Sequence, residues 1–210
     1  MEIRIDRGGE LVLYTPGFCL QKIEDFVREK KFWIYTKLAE KEILQQPIRK
    51  REFVDGEGFL YLGRSHRLRI ADAEPDKLPL RLHQGWFVLD SKQLPHAREC
   101  FVEWYTDHGM PWIKKRIRDL KNRIGVRPKS ITVKDLGAKW GHCTPDGKLC
   151  FHWRTILLPP NIIEYVIVHE MTHLLYPNHD EAFWLRVGWV VPDFSGRKQW
   201  LAENGILADM

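Results

Sequence analysis

The sequence predicts an α+β fold, in which a small strand-rich N-terminal part precedes a domain built from a β-hairpin and a long apolar helix. Short apolar runs separated by glycine or proline turns occupy much of residues 1–94 and indicate strands. Apolar residues recur at helical spacing in 95–125 and again in 160–175. We therefore expect two domains, a strand-rich 1–94 with one long helix, and 95–210.

The composition is that of an ordinary globular protein, with 44% hydrophobic and 29% charged residues in a chain of 210. No stretch approaches the roughly 20 apolar residues of a membrane helix, and the first residues lack the apolar run of a secretory signal. We therefore expect a cytoplasmic protein with reduced cysteines and no membrane partner. The formal charge of +5 is mild and does not by itself indicate nucleic acid.

The first part of the chain contains alternating strand patterns and one helical pattern. The expected elements are a strand at 11–14, an amphipathic helix at 20–44, and two strand pairs, 59–62 with 67–70 and 78–82 with 86–89. Turns are expected at Gly63 and at Gln84-Gly85. Nothing in this part has catalytic spacing.

Residues 95–125 have a helical pattern, which Gly109 and Pro111 should interrupt and Gly125 should end. Its second half is basic, and the side chains that represent this surface are Lys114, Lys115 and Arg118. We favour a solvated helix face here. The alternative is a docking surface for an acidic substrate or for a nucleic-acid backbone.

Two further strands and a helix are expected next. Residues 130–133 and 149–157 alternate like strands and should pair as a hairpin, and 149–157 is a candidate edge for an extended peptide. Pro160 suits the first turn of a helix. This helix should run to Leu175, because the residue before Pro177 is pushed out of the α region.

The helix expected at 160–175 contains His169-Glu170-Met-Thr-His173. Histidines four positions apart project from one helix face and can bind one metal ion. This H-E-x-x-H pattern is typical of zinc peptidases, in which the glutamate is the general base. The apolar flanks place both histidines in a buried setting, where metal coordination would offset the free energy of burying them. The pattern predicts a zincin-like catalytic domain.

A catalytic zinc usually takes three protein ligands and leaves one position for water. His179, just past the break at Pro177, is placed to be the third ligand. Metzincins share this spacing but have glycine where this chain has Tyr176, which argues against that class. Glu181 is a weaker rival for the third ligand. A separate Cys2His2 site is a further alternative, built from His142, Cys143, Cys150 and His152.

Several motifs of the second part resemble those of the YgjP-like metallopeptidases. They are Lys139-Trp-Gly-His-Cys143, Trp153-Arg154, His169-Glu-Met-Thr-His173, Asn178-His179, Ala182-Phe-Trp184 and Trp200-Leu-Ala-Glu-Asn-Gly205. The likeness covers nearly the whole chain, but its specific motifs all lie after Leu136. The sequence departs from the family at His142, where the family usually has serine.

The resemblance implies zinc bound by His169, His173 and His179, with Glu170 as the catalytic base. SprT-like proteases, which are more distantly similar, share the three-histidine arrangement and act on protein bound to DNA. The resemblance therefore implies a zinc metallopeptidase, and the alternative is a nucleic-acid-associated protease or binding module that uses the basic residues 114–129.

From the motif we expect one zinc ion per chain and a peptide or protein substrate. Glu170 should take a proton from the attacking water and pass it to the leaving amine. His142, Arg154 and Tyr176 are the candidates for stabilising the transition state or contacting substrate. Nothing in the sequence indicates an oligomeric state.

Overall fold

The computed structural model describes residues 2–5, 11–14, 17, 20–30, 51–72, 78–137, 139–205 and 208. The chain divides into two compact units, 1–48 and 49–210. Helices and small sheets are both present, which confirms the α+β class. The predicted domain boundary at 94/95 lies within the second unit and stays a prediction, because compactness does not show which segments fold alone.

The described residues of the first unit form two short strands and a helix. β1 (Glu2–Ile5) pairs antiparallel with β2 (Leu11–Tyr14), and α1 spans Leu20–Glu29. Ile23, Phe26 and Val27 are the less exposed residues of α1, as its amphipathic pattern predicts. The rest of the helix predicted at 20–44, from residue 31 onward, lies outside the described residues.

A four-stranded sheet opens the second unit. Its strands are β3 (Gly58–Tyr61), β4 (Arg64–Ala71), β5 (Leu80–His83) and β6 (Trp86–Asp90), in the order β3-β4-β6-β5. Both predicted hairpins are present. Each turn holds two residues at positive φ, Leu62-Gly63 and Gln84-Gly85, as type I′ turns require. β4 and β6 pair in parallel and join the hairpins.

A single helix, α2, spans Ala97–Ile124 after a 3₁₀ turn at Ser91–His96. The predicted interruption at Gly109 and Pro111 is therefore wrong. Gly109 is buried against Ile156, and this packing stabilises the helix against the weak helix propensity of the two residues. Gly125 ends the helix in the left-handed conformation, with φ of 80°, and so confirms the predicted cap.

The second sheet has three strands, β7 (Ser130–Lys134), β8 (Gly141–Cys143) and β9 (Lys148–His152), in the order β7-β9-β8. The predicted hairpin of 130–133 with 149–157 is wrong, because β7 and β9 pair in parallel. The antiparallel partner of β9 is β8, which the turn at 144–147 places beside it. β9 is therefore the central strand and has no free edge for a peptide.

β9 is also shorter than predicted, because residues Trp153–Leu157 form a 3₁₀ helix. The Nδ1 atom of His152 accepts a hydrogen bond from the Arg154 N–H and caps this turn. The carbonyls of Ile156 and Leu157 accept hydrogen bonds from the N–H groups of Leu62 and Gly63. These partners lie far away in sequence, so local alternation could not indicate where the strand ends.

Three helices complete the fold: α3 (Pro160–Thr172), α4 (Glu181–Val190) and α5 (Phe194–Asn204). α3 packs against α2, α4, α5 and β8 and is buried on most of its surface. It ends three residues before the predicted Leu175, because 174 and 175 turn back with i→i+3 hydrogen bonds. No helix in the described part of the chain could cross a membrane.

Candidate metal centre

Three histidine side chains converge at the end of α3 and just before α4. The Nε2 atom of His179 lies 3.0 Å from Nε2 of His169 and 3.1 Å from Nε2 of His173. Among the described residues, these three form the only group of histidine, cysteine or acidic side chains that could hold a metal ion together. Three nitrogens bound at 2.0–2.1 Å in a tetrahedral site would lie about 3.3 Å apart. The observed triangle is close to that size.

Main-chain and aromatic contacts orient the three rings. The carbonyl of Tyr176 accepts a hydrogen bond of 3.0 Å from Nδ1 of His173, which leaves Nε2 of that ring without a proton and available to a metal. The carbonyl of His179 accepts a hydrogen bond from Nε1 of Trp184. The ring of Phe183 lies 4.7–5.0 Å from each histidine ring. Phe183 therefore packs against all three histidine rings.

His169 is the most enclosed of the three. Burial, together with the neighbouring His173 and His179, lowers the pKa of His169 to about 3. Its Nδ1 atom is buried without a hydrogen-bond partner in the part of the chain that the structure describes. The ring is therefore neutral at physiological pH, which is the state that binds a metal ion.

Glu170 lies against strand β8. A methyl group built on Gly141 would lie 2.6 Å from Cγ and 2.8 Å from Oε1 of Glu170. No larger residue fits there without moving the glutamate. The backbone N–H of Cys143 also interacts with this carboxylate and stabilises its charged form. One short strand therefore both makes room for the carboxylate and holds it.

Burial raises the pKa of Glu170 to about 8, while Lys139 and the N–H of Cys143 oppose this rise. Glu170 is 7% exposed. A cation held by the three histidines would lower this pKa, because an opposite charge nearby stabilises the carboxylate. The site thus contains a buried acid whose charge a neighbouring metal ion would stabilise.

The three candidate substrate contacts occupy different places. His142 is exposed on β8. Partial burial of its ring and the charges of Lys139 and His173 lower its pKa. Tyr176 contributes its carbonyl to His173. Arg154 donates a hydrogen bond to the carbonyl of Gly137, in the segment that leads into β8. The roles predicted for their side chains stay predictions.

The alternative metal sites do not assemble. In the register of β8 and β9, His142 lies opposite Cys150 and Cys143 opposite Leu149, so His142 and Cys143 point to opposite faces. His152 is buried beside Asp135, with Nε2 3.3 Å from the carboxylate. Glu181 begins α4 and does not belong to the histidine cluster.

The basic residues of α2 are exposed. Three basic side chains lie on the solvent side of the helix: Lys114, Lys115 and Arg118. None of the three forms an ion pair with another described residue. Arg116, by contrast, lies 2.6 Å from Glu164 of α3. The exposed cations of this helix are therefore not neutralised within the described part of the chain.

Sequence reasoning missed the contacts that position the histidines and the glutamate. Gly141 and the N–H of Cys143 hold Glu170, and Trp184 holds His179. A glycine within a strand often marks a close approach of another group, so the signal for Gly141 was present. The carbonyl of Tyr176 had no such signal, because every residue carries one.

A family model described as "YgjP-like, metallopeptidase domain" matches residues 1–204. The chain belongs to the YgjP-like metallopeptidase family. This confirms the predicted resemblance and the predicted enzyme class, a metal-dependent hydrolase. Family membership implies a divalent metal and a peptide or protein substrate, and the three histidines could hold that metal.

One solved structure is similar, the metallopeptidase zymogen abylysin of Pyrococcus abyssi. The two chains are 16% identical with a TM-score of 0.40, over 43% of this YgjP-like chain and 93% of the other. No curated protein matches the chain.

Proposed function

We propose that the protein is a peptidase whose active site holds one zinc ion per chain through His169, His173 and His179. The observation that carries this proposal is the convergence of the three Nε2 atoms, with the buried Glu170 next to His169 on the same helix. Three imidazoles leave a fourth position open, as catalytic zinc requires. A purely structural site would not need Glu170 beside it.

Zinc, when bound, lowers the pKa of a coordinated water to about 7 and polarises the carbonyl that is attacked. Glu170 holds the proton of the attacking water and then transfers it to the leaving amine. The N–H of Cys143 and the close approach of Gly141 keep this carboxylate in one position. His173 presents Nε2 because its Nδ1 proton is bound by the carbonyl of Tyr176.

The substrate backbone pairs with strand β8. β8 is an edge strand of its sheet, and an exposed edge can accept an extended peptide through main-chain hydrogen bonds. It is also the strand against which Glu170 packs. His142, exposed on this strand, is our candidate for contact with the substrate or the developing oxyanion.

The proposal is tested with fluorogenic peptides of mixed sequence. Wild-type protein should hydrolyse them, a chelator should abolish hydrolysis, and added zinc should restore it. His179→Ala should lose most of its zinc and its activity. His83→Ala is the matched control, because His83 is an exposed histidine on β5. Full activity of His179→Ala, or activity that chelators leave unchanged, would contradict the proposal.

A second candidate function is binding of nucleic acid to the exposed face of α2. It is favoured by Lys114, Lys115 and Arg118, which are exposed and form no ion pair with the described residues. Cations free of internal partners can neutralise phosphates and release counterions. This surface would recruit the peptidase to protein bound on DNA or RNA.

The salt dependence of DNA binding decides this second candidate. Charge reversal of Lys114, Lys115 and Arg118 should reduce the slope of log affinity against log salt by about two to three. Reversal of Arg64, Lys92 and Arg98, which are equally exposed, is the control and should change the slope less. No binding at low salt would remove the candidate.

A further inference from the structure

An apolar groove lies along α4 and the start of α5. Its cavity volume is about 580 Å³, and its lining residues are Glu181, Trp184, Leu185, Gly188, Trp189 and Phe194. Leu185 and Trp189 are 67% and 64% exposed. Large apolar side chains that remain in water at this level are unfavourable unless something covers them in use. We call this cavity the α4 groove.

Trp184 forms the wall between the α4 groove and the metal centre. Its indole stacks on the ring of His179, with 5.6 Å between centroids, and its Nε1–H donates to the carbonyl of that residue. The same indole stacks on the ring of Phe194, with 5.5 Å between centroids. Trp184, which lines the groove, is therefore in direct contact with His179, a proposed metal ligand.

Lys198 marks the same corner of the molecule. Its ammonium group lies 4.3 Å from the centroid of the Trp184 ring, and its charge also acts on His169. The groove, the tryptophan and the metal centre are thus contiguous. A peptide that crosses the metal centre needs to extend only a short way to reach the groove.

The size of the α4 groove selects the kind of occupant. A volume of about 580 Å³ is that of a small-molecule or side-chain site, which is typically about 300–1,000 Å³. A stable protein–protein interface needs about 20–30 residues from each side, whereas six line this groove. The dimensions fit one or two bulky side chains rather than a second copy of the chain.

We propose that the α4 groove is a substrate subsite that accepts a large apolar side chain, aromatic or aliphatic, of the polypeptide being cleaved. This inference rests on the proposed function, because it places the subsite beside the scissile bond. An extended chain advances about 3.3 Å per residue. The apolar residue therefore lies a fixed number of positions from the bond that is cut.

The subsite is tested with peptides in which a single phenylalanine moves along an Ala/Ser/Gly background. Wild-type enzyme should prefer phenylalanine at one position by about tenfold or more in kcat/KM, the discrimination expected of an apolar pocket. Leu185→Ala and Trp189→Ala should each reduce this preference severalfold. Leu78→Ala, a leucine that is 69% exposed outside the groove, is the matched control and should keep it.

Binding measurements separate a failure of the subsite from a failure of the proposed chemistry. Zinc-loaded Glu170→Gln is titrated with the same peptides, labelled with a fluorophore, and tighter binding of the favoured phenylalanine peptide is expected. Leu185→Ala in this background should remove the difference. Hydrolysis without positional preference would overturn the subsite alone. Absence of hydrolysis, with binding that depends on phenylalanine and Leu185, would contradict the proposed chemistry and keep the subsite.

Analytical ultracentrifugation tests the competing occupant. Leu185→Asp and wild-type protein should sediment as the same species. A wild-type dimer that Leu185→Asp dissociates would assign the α4 groove to a second copy of the chain and overturn the proposal.

Discussion

Gly141 determines where the carboxylate of Glu170 can lie. Its φ is not in the left-handed region, so glycine is needed here for space rather than for backbone conformation. A methyl group would meet Cγ, Cδ and Oε1 of Glu170 at 2.6–2.8 Å. The side chain of Glu170 can rotate away from such a contact more easily than β8 can move. A substitution at 141 should therefore displace the base and leave the fold in place.

Gly141→Ala should lower kcat by about a hundredfold, the loss expected for a misplacement of about 1 Å, while zinc content stays unchanged. The measurement is steady-state hydrolysis together with the zinc content of each variant. Gly196→Ala is the control, because a methyl group there meets open space. When Gly141→Ala is added to Glu170→Asp, the double variant should be little less active than Glu170→Asp alone. The shorter aspartate side chain does not reach the added methyl group. Additive losses in this double-mutant cycle would contradict direct contact.

The buried acid makes the stability of the metal-free protein depend on pH. Burial raises the pKa of Glu170 to about 8 from a usual 4.5, so the folded state disfavours its charge. The protonated carboxyl of Glu170 contributes fully to the free energy of unfolding below its unfolded-state pKa of 4.5. This contribution is lost as pH rises towards its folded-state pKa of about 8. Burial and the neighbouring histidines lower the pKa of His169 from 6.5 to about 3, which offsets this loss below about pH 6.5. Chelator-treated protein should therefore become less stable mainly between about pH 6.5 and 8, by on the order of 2 kcal/mol.

Urea denaturation of metal-free protein across this pH range measures the effect. Glu170→Gln removes the titrating carboxyl group and should keep its stability between about pH 6.5 and 8, where wild type loses stability. Parallel profiles for the two proteins would mean that Glu170 is not buried uncharged in the metal-free state.

At the residue scale, local spacing made His169, Glu170 and His173 predictable, because four positions on a helix fix their relative direction. The contact of Gly141 with Glu170 could not be derived in this way. It depends on how β8 packs against α3, and Gly141 and Glu170 are 29 positions apart along the chain. Sequence reasoning therefore found the residues of the proposed chemistry, and the structure adds those that hold them.

Asp180 lies between the third histidine, His179, and the first residue of helix α4. Asp180 directly follows His179, and its Oδ1 accepts a hydrogen bond of 2.9 Å from the N–H of Phe183. This contact caps the N-terminus of α4. Because Phe183 packs beneath all three histidines, the cap orients the whole centre.

Asp180→Ala should destabilise the protein by about 1 kcal/mol, the usual effect of removing an N-cap, and should also weaken zinc binding. Asp180→Asn keeps an acceptor at the cap and should largely preserve both. Thermal unfolding and competition with a chromophoric chelator give the two quantities. Equal losses in the alanine and asparagine variants would show that the charge of Asp180, not its cap, matters.

α2 provides a second test at the scale of an element. Gly109 lies in the interior of this helix, and an added methyl group would meet Ile156 at ordinary contact distances of 3.5–3.9 Å. Gly109→Ala should therefore stabilise the protein by about 0.5–1 kcal/mol, because alanine loses less entropy in a helix. A chemical denaturation curve measures this, and a lower midpoint would contradict the packing.

The elements that the sequence predicted correctly are those defined by neighbouring residues. The hairpins β3–β4 and β5–β6 follow from two-residue turns with positive φ. The parallel pairing of β7 with β9 joins segments that are not adjacent in the chain, and alternation carries no signal for strand order. The uninterrupted α2 also differs from its prediction, because tertiary packing overrides local propensity.

The metal centre brings together three parts of the second unit: α3, strand β8 and the segment before α4. Its ligands come from the end of α3 and from the segment before α4, and Glu170 also contacts β8. An ion that binds the folded chain alone stabilises it by RT ln(1 + [L]/Kd), about 4 kcal/mol at a thousandfold excess over Kd. Zinc should therefore raise the unfolding temperature of wild type and much less that of His179→Ala. An equal rise in both proteins would contradict the three-histidine site.

The most direct test of the central claim is the rate of peptide hydrolysis by Glu170→Gln at full zinc occupancy. The amide is close in size to the carboxylate and keeps a partner for the N–H of Cys143, but it cannot take a proton from water. We predict a variant that binds zinc as wild type does and hydrolyses peptide at least a thousandfold more slowly, the scale of a lost general base and its electrostatic contribution. Hydrolysis at the wild-type rate by zinc-loaded Glu170→Gln would contradict the account.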